Sequence, residues 1–388
     1  MPLNDPFGGW VAWTKIPRES LAGAELVRGG GATAWGNAAL GGIVQLFTAA
    51  PTSNLSGYPA ESSSAASSNT GNPIGYLAGY GSGRISAAVG AFGTRSLEAV
   101  VNVPAGPGAL QILGRDFSTE GFSLVAPEDR GSIDIPAASK HRWLEGRWRQ
   151  SFASGVEAHR HRAHLRGGPQ QRHAYQENTS DENFASVALA ATPRPGFSWN
   201  GVAYGQDQTF SSTFSSVNAT RTAETPASNQ YDVPATAFGA AWTGVWSGAG
   251  ETRTTAGLDY RLVRGETREN YTYSAGDFTR NRIAGGTQGT GGLFALHEWA
   301  PAADLRATLG GRVDFWSEED GHRRENRPHD GCGVAGRPLR ESRRHRVLAP
   351  APGWCGPSRP AGASVRPDNI PSAAPPSTSS TGRSASAT

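Results

Sequence analysis

Residues 24–48 read AELVRGGGATAWGNAALGGIVQLFT: a short apolar strand, three consecutive glycines, a Trp-Gly-Asn turn, a Gly-Gly pair and a second apolar strand. Glycine loses more conformational freedom on folding than any other residue, so such a run marks backbone that takes positive φ or approaches another surface closely. The stretch predicts two strands joined by a connection that packs tightly against something. Gly29, Gly31 and Ala34 also fit a GxGxxA dinucleotide fingerprint. The second strand begins too soon for a crossover helix, and no acidic residue follows at the required distance, which sets that reading aside.

The rest of the chain is built for turns and strands. It holds 51 Gly, 11 Trp and a single Met in 388 residues, which favours a β architecture with aromatic girdles over a helical bundle. No run of 18 or more apolar residues occurs, so a transmembrane helix is excluded, whereas a β-barrel, with short and half-apolar strands, is not. The opening MPLNDPFGGWVAWTKIPRES has neither a basic start nor an apolar h-region and reads as lacking a secretory signal. Cys332 and Cys355 both fall near the end, so cysteine usage assigns no compartment. Charge is uneven: residues 1–320 carry 25 basic and 29 acidic side chains, residues 321–388 carry 11 arginines and 4 acids.

Residues 51–73 are small, polar and proline-bearing, a linker composition. From about Arg84 to Trp316, segments of 8 to 13 residues alternate at period 2. In Ala235–Trp246 one face carries Thr236, Phe238, Ala240, Trp242, Gly244 and Trp246, and the other mostly small residues. In the segment from Leu305 to Trp316, Leu305, Ala307, Leu309, Val313 and Phe315 alternate with Arg306, Thr308, Arg312 and Asp314. Ala256, Leu258, Tyr260 and Leu262 alternate likewise with Thr255, Gly257, Asp259 and Arg261. Tight-turn sequences at 104–107, 151–154, 193–196, 247–250 and 300–303 alternate with long polar excursions at about 118–139, 166–183, 208–234 and 265–287. Short links at one rim and long loops at the other are the pattern of an outer-membrane barrel. A soluble β-propeller is the competing reading, since short turns recur every 40 to 55 residues, but its blades would share a motif and these segments share only a pattern.

With strands and turns placed, the opening stretch resembles the end of the plug domain of TonB-dependent outer-membrane receptors. That pattern is a strand ending in Arg-Gly, a glycine-rich turn with an aromatic-Gly pair, an Ala/Gly-Leu-Gly-Gly element and a final strand. Here it falls on Glu25, Arg28 and Gly29, then Trp35 and Gly36, then Leu40, Gly41 and Gly42 before Ile43–Phe47. Asn4–Trp10 and Ile16–Leu21 also fit plug sequence. The resemblance implies a plug inside a barrel, where glycine permits contact with the lumen wall.

Other constellations are weaker. HRHRAH at 159–164 puts His159 and His161 on one strand face and His164 on the other, with His173 in the next loop, but histidines on a wet barrel face need no metal to be satisfied. His329 and Cys332 have ligand-like spacing without a second pair. The Arg-rich stretch at 323–346 has no accompanying nucleic-acid-binding fold signal. Glu318, Glu319 and Asp320 are the acids a carbohydrate-active enzyme on this scaffold would use, but a surface charge run accounts for them better.

Past about Glu325 the alternation stops, and the tail is rich in Pro, Arg, Ser and Ala, as when a GC-rich coding strand is read out of frame. The bias of 34 Arg against Lys15 and Lys140 points to such a gene. Regrouping codons allowed for Pro371–Thr388 from each third base permits FRGPTLNELYRPFRVGN, which resembles a mid-barrel strand motif of the same receptors.

The expected architecture is therefore mostly β: the C-terminal part of a plug at 1–50, a linker and approach at 51–83, about eleven antiparallel up-and-down barrel strands at 84–325, and an out-of-frame, disordered tail at 326–388. The resemblance implies a fragment, truncated at the N-terminus and non-functional as written, of a receptor importing a metal chelate such as a siderophore or cobalamin. Its implied partners are outer-membrane lipid, the chelate and the TonB energy-coupling complex, whose contact segment is absent here. No catalytic residue, cofactor, resident metal or nucleic acid is implied, and the ligand-binding residues are not specified. A soluble propeller-like binding protein or a carbohydrate-active β-scaffold enzyme is the alternative.

Overall fold

The computed structural model describes residues 3–11, 13–28, 42–49, 51, 81–152, 156–171, 173–248, 252–302, 305–326 and 343–351, with backbone alone for 19, 158–171, 301 and 343–351. Two short 3-10 turns, Trp13–Lys15 and Arg18–Ser20, lead into an antiparallel hairpin of β1 (Leu21–Arg28) and β2 (Gly42–Thr48). A separate sheet holds β3 (Ser82–Gly90), β4 (Thr94–Ala105), β5 (Gly108–Thr119), β6 (Ser139–Ser151), β7 (Val156–Gln171) and β8 (Glu177–Arg194). It continues through β9 (Phe197–Val217), β10 (Glu224–Ser247), β11 (Arg253–Ser274), β12 (Asp277–Ala302), β13 (Leu305–Asn326) and β14 (Arg343–Ala351). Every strand pairs antiparallel with its sequence neighbours, giving one 12-stranded meander with β3 and β14 at its edges.

Eleven of these strands, β3 to β13, occupy the region expected to alternate. The twelfth lies within the region expected to be a tail: Arg343–Ala351 pairs with β13 from Glu318↔Arg343 to Gly310↔Ala351, while 327–342 and 352–388 lie outside the described residues. An unpaired strand edge offers a row of N–H and C=O groups that orders an extended neighbour without requiring an alternating sequence.

A correction concerns the long links. The tight turns at 104–107 and 193–196 are as expected, with Gly106 and Gly196 at positive φ. At the opposite rim, among the described residues, only 120–138 is a loop of any length; the described parts of 166–183, 208–234 and 265–287 are mostly strand, interrupted at 173–176, 218–223 and 275–276. Their polarity was the misleading signal. Strands that project beyond lipid have water on both faces, so they keep the ladder while losing alternation, and polar side chains pair across it, as Thr179 Oγ1 and Ser211 Oγ do at 2.6 Å. β12 runs 26 residues, where a membrane crossing needs ~9–11.

The side-chain distribution of the wall is inverted relative to a soluble sheet. One face is polar and covered: Glu98, Asn102, Gln111, Glu145, Arg147, Glu182, Gln206, Gln208, Arg312 and Asp314 are all buried. A smaller apolar cluster of Val100, Leu113, Trp143, Phe184 and Tyr204 shares that face. The other face is apolar and open, with Leu293 53% and Leu309 63% exposed beside Phe238, Leu258, Tyr260 and Phe315. Register aligns these into lateral rows such as Leu189–Gly201–Trp242–Leu258–Leu293–Val313 and Val187–Ala203–Ala240–Tyr260–Gly291–Phe315.

The upper edge of this apolar face crosses the rows obliquely. The last apolar outward side chain is Phe315 on β13, Phe238 on β10, Leu144 on β6 and Leu97 on β4, followed by Ser317, Thr236, Arg142 and Arg95. Traced to β8, the Phe315 row passes Val187 and the Leu97 row passes Asp181, a shift of six residues over nine strands. At ~3.3 Å per residue and ~4.8 Å per strand this is a tilt of roughly 25°. A level membrane plane cutting tilted strands leaves this stepped boundary.

Candidate functional site: an N-terminal segment held on the polar wall

Asp5, Phe7, Trp10, Lys15 and Ser20 bring the segment before β1 against the polar face, and local chemistry shapes it for that contact. Asp5 makes a side-chain turn: its Oδ1 accepts from Phe7 N at 2.9 Å and from Gly8 N, while Asn4 Nδ2 donates to Gly9 O at 2.8 Å. Gly8 admits no side chain, since a Cβ there would fall 1.6 Å from the Trp10 ring, and Gly9 takes φ +76°.

Four strands receive this turn and the residues after it. Gln208 on β9 donates to Asp5 Oδ2. Phe7 lies over Gly265 of β11, where a Cβ would come within 2.2 Å of its ring. The Trp10 and Phe210 rings sit 5.0 Å apart. Lys15 Nζ donates to both oxygens of Glu182 on β8 at 3.2 Å, with each side chain only 5% exposed. Glu182, Gln208, Ala235 and Gly265 are successive partners in one row, so two polar anchors sit beside two small residues that leave room for the Phe7 ring. Further along, Arg147 Nη1 on β6 donates to Ser20 O and Ala49 O, both at 3.3 Å, gripping the start of β1 and the residue after β2 with one guanidinium. Glu145 orients that guanidinium through its Nε and takes Trp143 Nε1 at 3.0 Å.

A comparable network stiffens the far side of the wall. Arg312 on β13 reaches across β12 to Asp259 on β11, with Nη1 and Nη2 at 2.7 and 2.9 Å from its two oxygens, and donates Nε to Asp314 at 2.7 Å. Gly292 on β12 makes this possible: a Cβ there would stand 2.1 Å from Arg312 Nη2.

At the long-loop rim, the 120–138 loop folds down onto the turn after β9. Asp134 accepts from Arg221 Nε at 2.7 Å and from its Nη2, and lies 3.1 Å from His173 Nε2. The hydrogen bond from Arg221 holds the Asp134 carboxyl well below the usual carboxylate range. These residues, with Ser123, Leu124, Val125, Ile135 and Gln176, enclose a cavity of about 160 Å³.

Of the residues singled out from the sequence, Glu25 and Arg28 are exposed on β1 opposite Gln45 and Gly42. Gly42 takes φ +138°, and a Cβ there would lie 2.5 Å from Val27 O, so glycine is needed where the hairpin closes. Gly29, Trp35, Gly36, Leu40 and Gly41 lie outside the described residues, as do His329, Cys332 and the side chains of His159, His161 and His164. Glu318 and Glu319 are consecutive on β13 and so point to opposite faces, which does not assemble a carboxylate pair. Among the described residues no group of three or more His, Cys, Asp or Glu is placed to hold a metal. The wall anchors Arg147, Glu182 and Gln208 escaped notice in the sequence, where their one signal was the scarcity of lysine that makes a buried Lys15 conspicuous.

A family profile described as TonB dependent receptor-like, beta-barrel, matches residues 129–339, more than half of the chain. The chain belongs to the TonB-dependent receptor family. A search of curated proteins gives no match. Among solved structures, the copper transporter OprC aligns with a TM-score of 0.64 at 13% identity over 90% of this chain and 50% of its own. The ferric yersiniabactin uptake receptor FyuA from Yersinia pestis gives 0.61 at 14%, over 84% and 48%. The ferric-catecholate import receptor Fiu from E. coli K12 in its open form gives 0.57 at 11%, over 86% and 55%. At these identities the likeness is one of fold, and the chain spans about half the length of each neighbour. TonB-dependent receptors are outer-membrane proteins, and these neighbours are transporters and uptake receptors, not enzymes. The propeller alternative fails on topology: a propeller divides into four-stranded blades, and this wall is one continuous meander.

Proposed function

We propose that this chain is part of an outer-membrane receptor that takes up a metal chelate of siderophore or cobalamin type, with energy delivered through the TonB complex to the plug. The observation that carries the reading is the plug segment held by hydrogen bonds and one buried ion pair on the polar face of a sheet whose other face is apolar. Contacts of this kind hold a gate shut yet can be exchanged for water when the gate is pulled, which an apolar interface resists. The fold neighbours, a copper transporter and ferric-chelate uptake receptors, support the substrate class.

We further propose that the working receptor pairs the free edges of β3 and β14 with additional strands. In hydrocarbon each unpaired backbone group costs several kcal/mol, so a spanning sheet closes. The test is uptake by cells lacking their own receptors and carrying a version extended to close the barrel. Radiolabelled iron presented as hydroxamate, catecholate or phenolate chelates, or labelled cobalamin, should enter in a TonB-dependent manner. A correctly inserted, closed barrel that binds none of these would overturn the substrate class.

A further inference from the structure

The lipid-side face of β11 to β13 carries a groove that the transport reading does not use. Its floor is Gly289 and Gly291 on β12, and its walls are Leu258 and Tyr260 on one side and Phe315 and Ser317 on the other, with Leu293 at its lower end. The hollow measures about 470 Å³. It exists because two outward positions of β12 have no side chain: Gly291 lies between Tyr260 and Phe315 in one row, and Gly289 between Leu262 and Ser317 in the next. Outward placement follows from register, since Gly265, one residue beyond Arg264, faces the plug.

Directly above the groove the outward face changes character. Arg264, Thr287 and Glu319 form the next row, followed by Glu266, Gly285 and His322, then Arg268, Ile283 and Arg324. The acids there are largely committed: Glu266 takes Arg268 at 2.6 Å and His322 at 2.8 Å, and Asp232 takes Arg268 at 2.6 Å. Glu319 has a contact of its own. Arg264 and Arg324 are exposed and have no partner among the described residues. An apolar slot one strand wide, running along the strands and ending beneath an uncommitted guanidinium at the lipid–water boundary, matches an amphiphile with an acyl chain and an anionic head.

We propose that this groove seats one acyl chain of an anionic, phosphate-bearing lipid of the outer leaflet, with its phosphate on Arg264 and Arg324 as the more distal cation. The leaflet follows from the long-loop rim, which faces outward in such barrels. Arginine suits the role because its planar fork binds phosphate oxygens in pairs. The glycine floor lets the chain lie against backbone, where any other residue would hold it off the wall. The proposal stands on the orientation of the wall in the membrane and does not require that the receptor carry a metal chelate.

Native mass spectrometry of the full chain in detergent micelles tests it, with phosphatidylglycerol and phosphatidylcholine of identical acyl chains as probes. The expected result is retention of phosphatidylglycerol at least tenfold over phosphatidylcholine. Arg264→Gln, an exposed change that leaves the groove intact, should erase most of that preference while sparing the weaker phosphatidylcholine binding. Gly291→Val should reduce both lipids several-fold; its Cβ would lie 3.3 Å from both the Asp259 carbonyl oxygen and Tyr260 Cδ2, a tight fit that a shift of a few tenths of an ångström accommodates. Gly205→Val, also on the outward face but with nothing within 4 Å of its Cβ, serves as the control and should change neither. Equal retention of the two lipids by the unmodified chain, or an unchanged preference in Arg264→Gln, would overturn the proposal. So would loss in Gly205→Val equal to that in Gly291→Val.

Discussion

The Lys15–Glu182 pair joins the N-terminal segment to the wall in a site where both side chains are 5% exposed, and its removal has a calculable consequence. Glu182→Gln keeps size and shape but leaves the Lys15 ammonium buried opposite a neutral amide. Stranding one partner of a buried ion pair costs about 3–5 kcal/mol, mostly through desolvation of the remaining charge. Arg147 on Ser20 and Ala49, and Gln208 on Asp5, stay in place, so the loss falls on local undocking around residues 13–17 and not on the whole sheet. At about 1.4 kcal/mol per decade, 3 kcal/mol raises the open population by roughly a hundredfold. Trypsin reports this directly, because Lys15 is itself a cleavage site and is protected while docked. Cleavage after Lys15 in Glu182→Gln should accelerate by about two orders of magnitude when opening is fast relative to cutting. Glu182→Gln with protection equal to the unmodified chain would show that the pair does not hold the segment. A companion chain with Lys15→Met and Glu182→Leu together should regain most of the docking, since an apolar pair of similar volume replaces the ion pair at little cost; hydrogen exchange at the Ser20 amide, bonded to Pro17 O at 3.1 Å, reads it without the lysine.

Other contacts and the reading frame give four more expected outcomes. Trp242→Arg, on the lipid-side face between Gly201 and Leu258, should impair assembly into liposomes by roughly 2–4 kcal/mol, whereas Thr243→Arg on the opposite face should be much milder; equal damage would reverse the faces. Gly292→Ala should lower thermal stability in detergent by about 3 kcal/mol, because it displaces a nearly buried Arg312 from Asp259 and Asp314, and an unchanged melting point would contradict that geometry. Because the folded Asp134 carboxyl titrates below its unfolded value of about 3.9, its contribution is complete above that pH and is lost only as pH falls through the lower folded value. The 120–138 loop should therefore stay docked at pH 4 and loosen in stronger acid, read as exchange at the Ile133 amide that donates to Arg221 O, while Asp134→Asn should loosen it at every pH. Resequencing the gene should find an insertion or deletion near the codons for Glu325–His345, and restoring the frame should add alternating strands; an uninterrupted gene without a downstream frame would remove this expectation.

How much of this was legible depended on how unlike the two sides of each element are. Ala235–Trp246, the segment around Leu258 and the one from Leu305 to Phe315 separate lipid from water, so residue type alternates and the strands declare themselves. The upper ends of β8 to β11, around Asn178–Ser180, Ser211–Val217, Glu224–Gln230 and Thr267–Ser274, are strand with water on both sides, and there the physical basis of the alternation is gone while the backbone ladder persists. The glycine-rich hairpin was legible for the opposite reason: Gly42 occupies a conformation and a clearance that no other residue fits. The anchors were not legible, because Lys15 and Glu182 are 167 residues apart and nothing local distinguishes an inward glutamate on β8 from a solvated one. The groove beneath Arg264 was hidden similarly, since glycines in a glycine-rich strand stand out only after register places Tyr260 and Phe315 beside them.

The central claim is that the wall separates lipid on one face from a polar, plug-bearing interior on the other. With Cys332 and Cys355 replaced by serine, the chain offers a cysteine-free background for single spin labels at successive positions from Thr236 to Trp246 in liposomes carrying the protein. Collision rates with membrane-dissolved oxygen should be high at Phe238, Ala240 and Trp242 and low at Ala237, Gly239 and Ala241, with a water-soluble nickel chelate gaining access from Thr236 upward. Uniform access of the nickel chelate to both sets, or oxygen accessibility without a period of two, would contradict a membrane-facing wall and with it the receptor reading.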